Sequence, residues 1–119
     1  MPASTGPNLA VKYGWDPTTA ESNWGADMNA NLKRLDALTQ LGVKDKDLAT
    51  PPGSPANGDR YIVAASPTGA WAGRAADVAV YFTADAAWTF YTPKRGWLAY
   101  VDDEDKFYKF TTVWVITAA

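Results

Sequence analysis

The chain has 119 residues, about the length of one domain, and its net charge of −2 leaves no basic footprint for a nucleic-acid partner. It contains no cysteine and no histidine, which excludes disulfides, zinc–thiolate sites and thiol nucleophiles and removes the commonest general base. Carboxylates and lysines remain, but the usual catalytic residues are missing. We therefore predict that the protein is not an enzyme and binds no cofactor and no metal.

Residues 1–17 are predicted to form an extended docking arm. Leu9, Val11, Tyr13 and Trp15 alternate with other residues, so one face of a strand over them would be wholly apolar. That face favours an arm that docks on a larger assembly, and a floppy terminus is the alternative. The segment has neither the charged start nor the apolar core of a signal peptide, so we expect synthesis in the cytoplasm. No apolar run in the chain approaches the roughly 20 residues of a membrane span, so we expect no membrane insertion.

Residues 18–42 are predicted to form one amphipathic helix. Thr18 and Glu21 fit a capping box, with later caps as the alternative, and Gly42 is a natural stop. Within the helix, apolar side chains and one asparagine recur in steps of four and three residues, which makes a candidate oligomer seam. Two interpretations stay open: the helix packs on its own domain, or it bundles with copies of itself, where a seam asparagine would fix the register. The candidate seam residues are Trp24, Met28, Asn31, Leu35 and Leu38.

The rest of the chain is predicted to be a linker followed by a β-module. Residues 43–59 hold a Pro-Pro pair and alternating charges, which indicate a stiff Pro/Gly linker. Residues 60–119 contain six short runs rich in β-branched and aromatic residues, which predict an antiparallel meander that closes into a small barrel or a sandwich. The fold class is therefore mainly β with one N-terminal helix. The six runs are RYIVAA, DVAVYFTA, AWTFYT, GWLAYV, KFYKF and TVWVIT.

Alternation in these runs places Tyr81, Tyr91 and Tyr100, with Tyr108 as a further candidate, on one face of the β-module, opposite the predicted core. We interpret this face as covered by the helix or by a sister subunit, because tyrosine suits wet interfaces. A sugar-stacking platform with a tryptophan lid is the alternative. The candidate contacts for a glycan or a protein partner are Trp71, Tyr91 and Tyr100.

The consecutive carboxylates of Asp102–Asp105 are interpreted as a solvated hairpin tip. They lack the spaced oxygen ligands and the glycine bend of a calcium loop. Paired carboxylates also serve glycoside hydrolysis, but a small meander has little room for the cleft that this reaction needs. Neither a metal site nor hydrolase activity is predicted here.

Four motifs in the chain carry a family resemblance. They are Pro-Pro-Gly-x-Pro-x-x-Gly-Asp-Arg-Tyr from Pro51 to Tyr61, Thr-Gly-x-Trp-x-Gly from Thr68 to Gly73, Trp-x-Phe from Trp88 to Phe90, and Pro-x-x-Gly-Trp from Pro93 to Trp97. Together with the helix that precedes them, they resemble a domain of unknown function that recurs in tail and fibre proteins of tailed bacteriophages and in tail proteins of related gene-transfer agents. The resemblance covers residues 8–112.

The resemblance implies a virion component, located in the particle after synthesis in the host cytoplasm. It would be a tail-fibre, appendage or adaptor protein, with other virion proteins and copies of itself as partners. A homotrimer is expected, since cyclic trimers are common for appendages of this layout. Such domains often sit inside much longer chains, so this length fits an adaptor, a small fibre or a capsid-surface appendage better than a receptor-binding tip. The alternative function is a carbohydrate-binding module that contributes to adhesion to the host surface.

Overall fold

The computed structural model describes residues 4–14 and 24–117, and the chain divides into two compact units, residues 1–39 and 40–119. The described part of the first unit holds a two-stranded hairpin and an α-helix. The second, called the β unit below, holds seven strands within its described residues. A mainly β fold with one N-terminal helix is therefore confirmed for the part of the chain that is described. The elements are β1 (Ser4–Thr5), β2 (Lys12–Tyr13), α1 (Trp24–Leu38), β3 (Gly42–Val43), β4 (Arg60–Ile62), β5 (Val78–Phe82), β6 (Ala87–Tyr91), β7 (Leu98–Val101), β8 (Lys106–Phe110) and β9 (Trp114–Ile116).

The N-terminal hairpin pairs β1 and β2 in antiparallel fashion, with Thr5 opposite Lys12. The Gly6 N–H donates to Val11 O at 2.7 Å next to this pair, and the turn between the strands contains a Pro-Asn pair typical of chain reversals. The prediction of one extended arm over residues 1–17 needs correction here, because the described part of that segment folds back on itself.

Helix α1 contains three Ala and three Leu, which lose little conformational freedom in a helix. The predicted stop at Gly42 is wrong: Gln40 takes the left-handed conformation that ends the helix, with φ of 92°, and Gly42 lies in β3. The predicted start at Thr18 lies outside the described residues. Within those residues, no helix combines the length and the apolar character that crossing a bilayer requires.

The β unit contains two sheets. β4, β5 and β6 form an antiparallel sheet in that order, and β7, β8 and β9 form an antiparallel set that β3 extends by pairing in parallel with β7. Each of the six predicted runs contains a strand, which confirms the reading of the period-two pattern. The closed barrel, one of the two predicted outcomes, is wrong for the described residues, because β6 and β7 follow each other along the chain but belong to different sheets.

The first part of the segment predicted as a linker, residues 43–59, is hydrogen-bonded within the β unit. Val43 O accepts the N–H of Asp102 at 2.9 Å, which continues the pairing of β3 with β7. One residue later, the Lys44 N–H donates to Arg60 O at 2.8 Å, at the start of β4. The chain therefore passes from one sheet to the other within two residues, and its backbone joins them.

Trp71 lies at the centre of a hydrophobic core in the β unit and has no exposed surface. It ends a short 3₁₀ turn, Gly69–Trp71, in the loop between β4 and β5. Its ring centroid lies 5.2 Å from that of Trp88 in an edge-on arrangement and 5.6 Å from that of Tyr61. Aromatic pairs at such distances stabilise a core beyond the area that they bury. The core residues are Tyr61, Val63, Trp71 and Ala79, with Leu48, Trp88 and Phe90 packed against them.

Asp77, directly before β5, is a carboxylate with only 8% of its surface exposed. Burial raises its pKa, and a hydrogen bond with Thr92 and the charge of Arg74, whose Nη1 lies 3.7 Å from Asp77 Oδ2, oppose that rise. The pKa of Asp77 is higher in the folded chain than in the unfolded chain. At pH values above the folded-state pKa, the ionised carboxylate therefore lowers the free energy of unfolding. This loss of stability disappears as the pH falls through the folded-state pKa and the carboxylate becomes protonated.

Asp77→Asn is therefore expected to raise the melting temperature at neutral pH. The difference in melting temperature between the variant and the natural chain should shrink toward about pH 3, where carboxyls are protonated. Thermal unfolding of both proteins across this range, followed by circular dichroism, measures the difference. Asp36→Asn, at an exposed aspartate of helix α1, is the control for the change of charge and should shift little. An advantage that does not change with pH, or a variant less stable at every pH, would contradict the assignment.

Candidate functional site

Asn31 joins helix α1 to the N-terminal hairpin. Its Oδ1 accepts the N–H of Lys12 at 2.7 Å, and its Nδ2 donates to Lys12 O at 2.9 Å. The side chain thus pairs with the backbone of β2 as a neighbouring strand would, and only 5% of it is exposed. Arg34 Nη1 adds a longer contact, 3.5 Å, to Leu9 O in the hairpin turn. These bonds hold the hairpin against the helix within the first unit.

An apolar stripe on α1 remains exposed. Trp24 is 57% exposed, Leu32 56% and Leu35 42%, although all three are large hydrophobic side chains. Met28, which lies between the first two at helical spacing, is half-buried. Steps of four, four and three residues place these side chains on one face of the helix. We call Trp24, Met28, Leu32 and Leu35 the helix stripe.

The predicted oligomer seam coincides only partly with the helix stripe. Trp24, Met28 and Leu35 belong to both, and Leu38 is half-buried. Asn31, the predicted register residue, is instead buried against the hairpin, and Leu32 takes the exposed position next to it. Sequence spacing alone could not separate these two neighbours, because both fit a stripe of this width.

The residues predicted to form the docking face of the arm are spread over the hairpin. Leu9 and Val11 are half-buried, and Tyr13 is 55% exposed at the end of β2. Trp15 lies outside the described residues. Docking of this segment on another protein stays a prediction.

Two of the three predicted glycan contacts need correction. Trp71 was expected as an exposed lid, but it is fully buried, and Tyr91 is 3% exposed at the end of β6. Neither side chain can therefore contact a ligand in this conformation. Tyr100 is half-exposed on β7 and remains available.

Phe107 on β8 shares the outer sheet face with Tyr100. The two residues are directly paired across β7 and β8, their ring centroids are 5.3 Å apart, and Phe107 is 53% exposed. The sequence instead indicated Tyr108 for this face, but Tyr108 is buried on the opposite side. The alternation was read correctly within each strand, but the register between strands decides which residues share a face.

The acidic turn Asp102–Asp105 connects β7 and β8 as predicted for a hairpin tip. Two tyrosines bind its carboxylates: Tyr100 Oη donates to Asp105 Oδ1, and Tyr108 Oη donates to Glu104 Oε1. These hydrogen bonds raise the pKa of Tyr100 and of Tyr108. Across residues 4–14 and 24–117, no three His, Cys, Asp or Glu side chains come together as potential metal ligands.

Comparison with known proteins places the chain in a family. Neither a search of curated proteins nor a search of solved structures returned a match. The model of DUF2793, a protein family of unknown function, matches residues 28–115, which run from within α1 to β9. This range contains all four motifs that suggested a domain of unknown function. Because the match covers most of its length, the chain belongs to the DUF2793 family.

Proposed function

We propose that this protein is a structural component of a bacteriophage virion, an appendage or adaptor that assembles as a homotrimer and carries the β unit as a display domain. The observation that supports assembly is the helix stripe, whose three exposed side chains Trp24, Leu32 and Leu35 lie on one face of α1. The motif resemblance to tail and fibre proteins supports the virion setting.

A second copy of this chain is the partner that the helix stripe favours. Burying one leucine or a comparable side chain contributes about 1.5–3 kcal/mol relative to leaving it exposed, so an uncovered stripe is costly for a monomer. Copies of one helix can present the same apolar face to each other around a shared axis, so that each copy covers the stripe of the next.

Assembly is tested by sedimentation velocity over a range of concentrations. The natural chain is expected to sediment as a trimer and Leu32→Glu with Leu35→Glu as a monomer, because two charges would have to be buried at each interface. Ala26→Glu, at an exposed position of the same helix outside the stripe, is the matched control and should remain trimeric. A natural chain that stays monomeric, or a double variant that stays trimeric, would refute self-association through this face.

The virion setting needs a separate test. Antibodies against the chain, coupled to gold, should label intact particles purified from the producing host, at one defined place on each particle. The same preparation analysed by quantitative mass spectrometry should give a copy number divisible by three. Particles that lack the chain, while the lysate contains it, would rule out a structural role in the virion.

A further inference from the structure

An open pocket of about 260 Å³ lies in the β unit beside β3. It is lined by Gly42, Val43, Lys44, Arg60, Tyr100 and Asp102. None of these residues was singled out for such a site by the sequence except Tyr100. The pocket sits where the chain passes from one sheet to the other, so strands of both sheets contribute to it.

Gly42 makes the space. It is paired with Tyr100 across the parallel strands β3 and β7, and it has no side chain to fill the position beside the ring. A methyl group placed on Gly42 would lie 3.6 Å from Arg60 Nη2. Any larger side chain would therefore extend into the gap beside the guanidinium group.

Two cationic groups border this gap. Lys44 Nζ lies 3.2 Å from Asp59 Oδ1, which raises the pKa of Lys44, and its side chain is 58% exposed. Arg60 Nη1 donates to Gln40 O at 3.3 Å, which orients its guanidinium. The guanidinium and ammonium groups in this lining favour a carboxylate as ligand, which both can bind through charge-assisted hydrogen bonds.

The lining also has an aromatic and an acidic member, Tyr100 and Asp102. The Tyr100 ring is held by its hydrogen bond to Asp105 and by edge contact with Phe107. An aromatic ring fixed in this way offers a flat apolar surface to a sugar ring. The Asp102 carboxylate, also in the lining, can accept hydrogen bonds from hydroxyl groups but repels a second anion. This combination of lining residues favours a ligand that carries one carboxylate and several hydroxyl groups.

We propose that the pocket binds a single carboxylated sugar, of the uronic acid or sialic acid class, as one unit of an acidic polysaccharide. The carboxylate contacts Arg60 and Lys44, one face of the sugar ring covers Tyr100, and a hydroxyl group donates to Asp102. A volume of about 260 Å³ is below the range of drug-sized ligand sites and suits one sugar ring. This inference goes beyond the proposed assembly role and does not depend on self-association.

Titration of the ¹⁵N-labelled protein with sodium glucuronate, followed by amide chemical shifts, tests the proposal. Glucuronate should shift the amides of Gly42, Lys44 and Asp102, and glucose and acetate should each bind about tenfold more weakly or worse, since each lacks one half of the contacts. Equal shifts with acetate would reject the sugar contacts, and equal shifts with glucose would reject the carboxylate contacts. No shifts with glucuronate or with N-acetylneuraminate would overturn the site.

A variant whose new side chain fills the pocket gives the most direct test of the site. Gly42→Val is expected to weaken glucuronate binding at least about tenfold without removing a charge, because the new side chain would occupy the gap. Gly53→Val is the matched control, since a Cβ there would have no described residue within 4 Å apart from its chain neighbours, and glucuronate binding should be unchanged. Lys44→Gln changes a largely exposed side chain and should weaken glucuronate but not glucose. Unchanged glucuronate binding in folded Gly42→Val, or in Lys44→Gln if the former does not fold, would refute the proposal.

Discussion

Trp71→Ala is expected to lower the free energy of unfolding of the β unit by about 3–5 kcal/mol. The side chain is completely buried and contacts the rings of Trp88 and Tyr61, so its removal would leave a large cavity at the centre of this core. Small domains have only about 5–15 kcal/mol of stability in total. The loss should therefore shift the urea midpoint far down or leave the β unit unfolded.

Trp71→Phe keeps this experiment informative if the alanine variant does not fold. Among residues 4–14 and 24–117, the Trp71 Nε1 group finds no hydrogen-bond partner, so phenylalanine would lose packing but no hydrogen bond of that part of the chain. Urea unfolding followed by circular dichroism should rank the natural chain first, Trp71→Phe second and Trp71→Ala last. Equal midpoints for all three proteins would show that the core does not depend on this ring.

Asn31→Ala is expected to release the N-terminal hairpin from helix α1. The substitution leaves the N–H and the C=O of Lys12 without their partner, and an unpaired buried polar group costs about 1–3 kcal/mol. Hydrogen exchange at the Lys12 amide should accelerate by about tenfold or more, because the free energy of local opening falls by at least about 1.4 kcal/mol. Amides of the β unit should exchange as before.

Asn29→Ala is the matched control, since Asn29 is an exposed asparagine of the same helix. Asn31→Asp is a second disruptive variant: its carboxylate can still accept from the Lys12 N–H, but it places an acceptor oxygen and a buried charge against Lys12 O. Exchange at Lys12 should be unchanged in Asn29→Ala and faster in both variants of Asn31. Unchanged exchange in Asn31→Ala would mean that the hairpin is held by other contacts.

The strands of this protein could be predicted because their signal is local. Alternating β-branched and aromatic residues bounded by turn residues identified all six predicted strands from Arg60 onward. The end of the helix could not be predicted in the same way. Gly42 is the better residue for a left-handed cap, but Gln40 takes that conformation and Gly42 lies in β3, paired with β7.

The candidate sites were harder to predict because they depend on contacts between distant parts of the chain. The partner of Asn31 is 19 residues away, and nothing near it in the sequence marks Lys12 as that partner. Trp71, in a glycine-bracketed loop, was expected to be exposed, but a 3₁₀ turn places it in the core. Gly42 looked like a helix stop, and only the pairing with Tyr100 reveals the space that it leaves.

The backbone crossing at Val43 and Lys44 determines where a fragment must begin if it is to contain the intact β unit. A fragment cut at Arg60 would keep six strands but lose the stretch that hydrogen-bonds to β7 on one side and β4 on the other. It would also lose Leu48, which packs against the core. A fusion or a domain swap that aims to transfer an intact β unit should therefore start near residue 40, at the boundary between the two compact units.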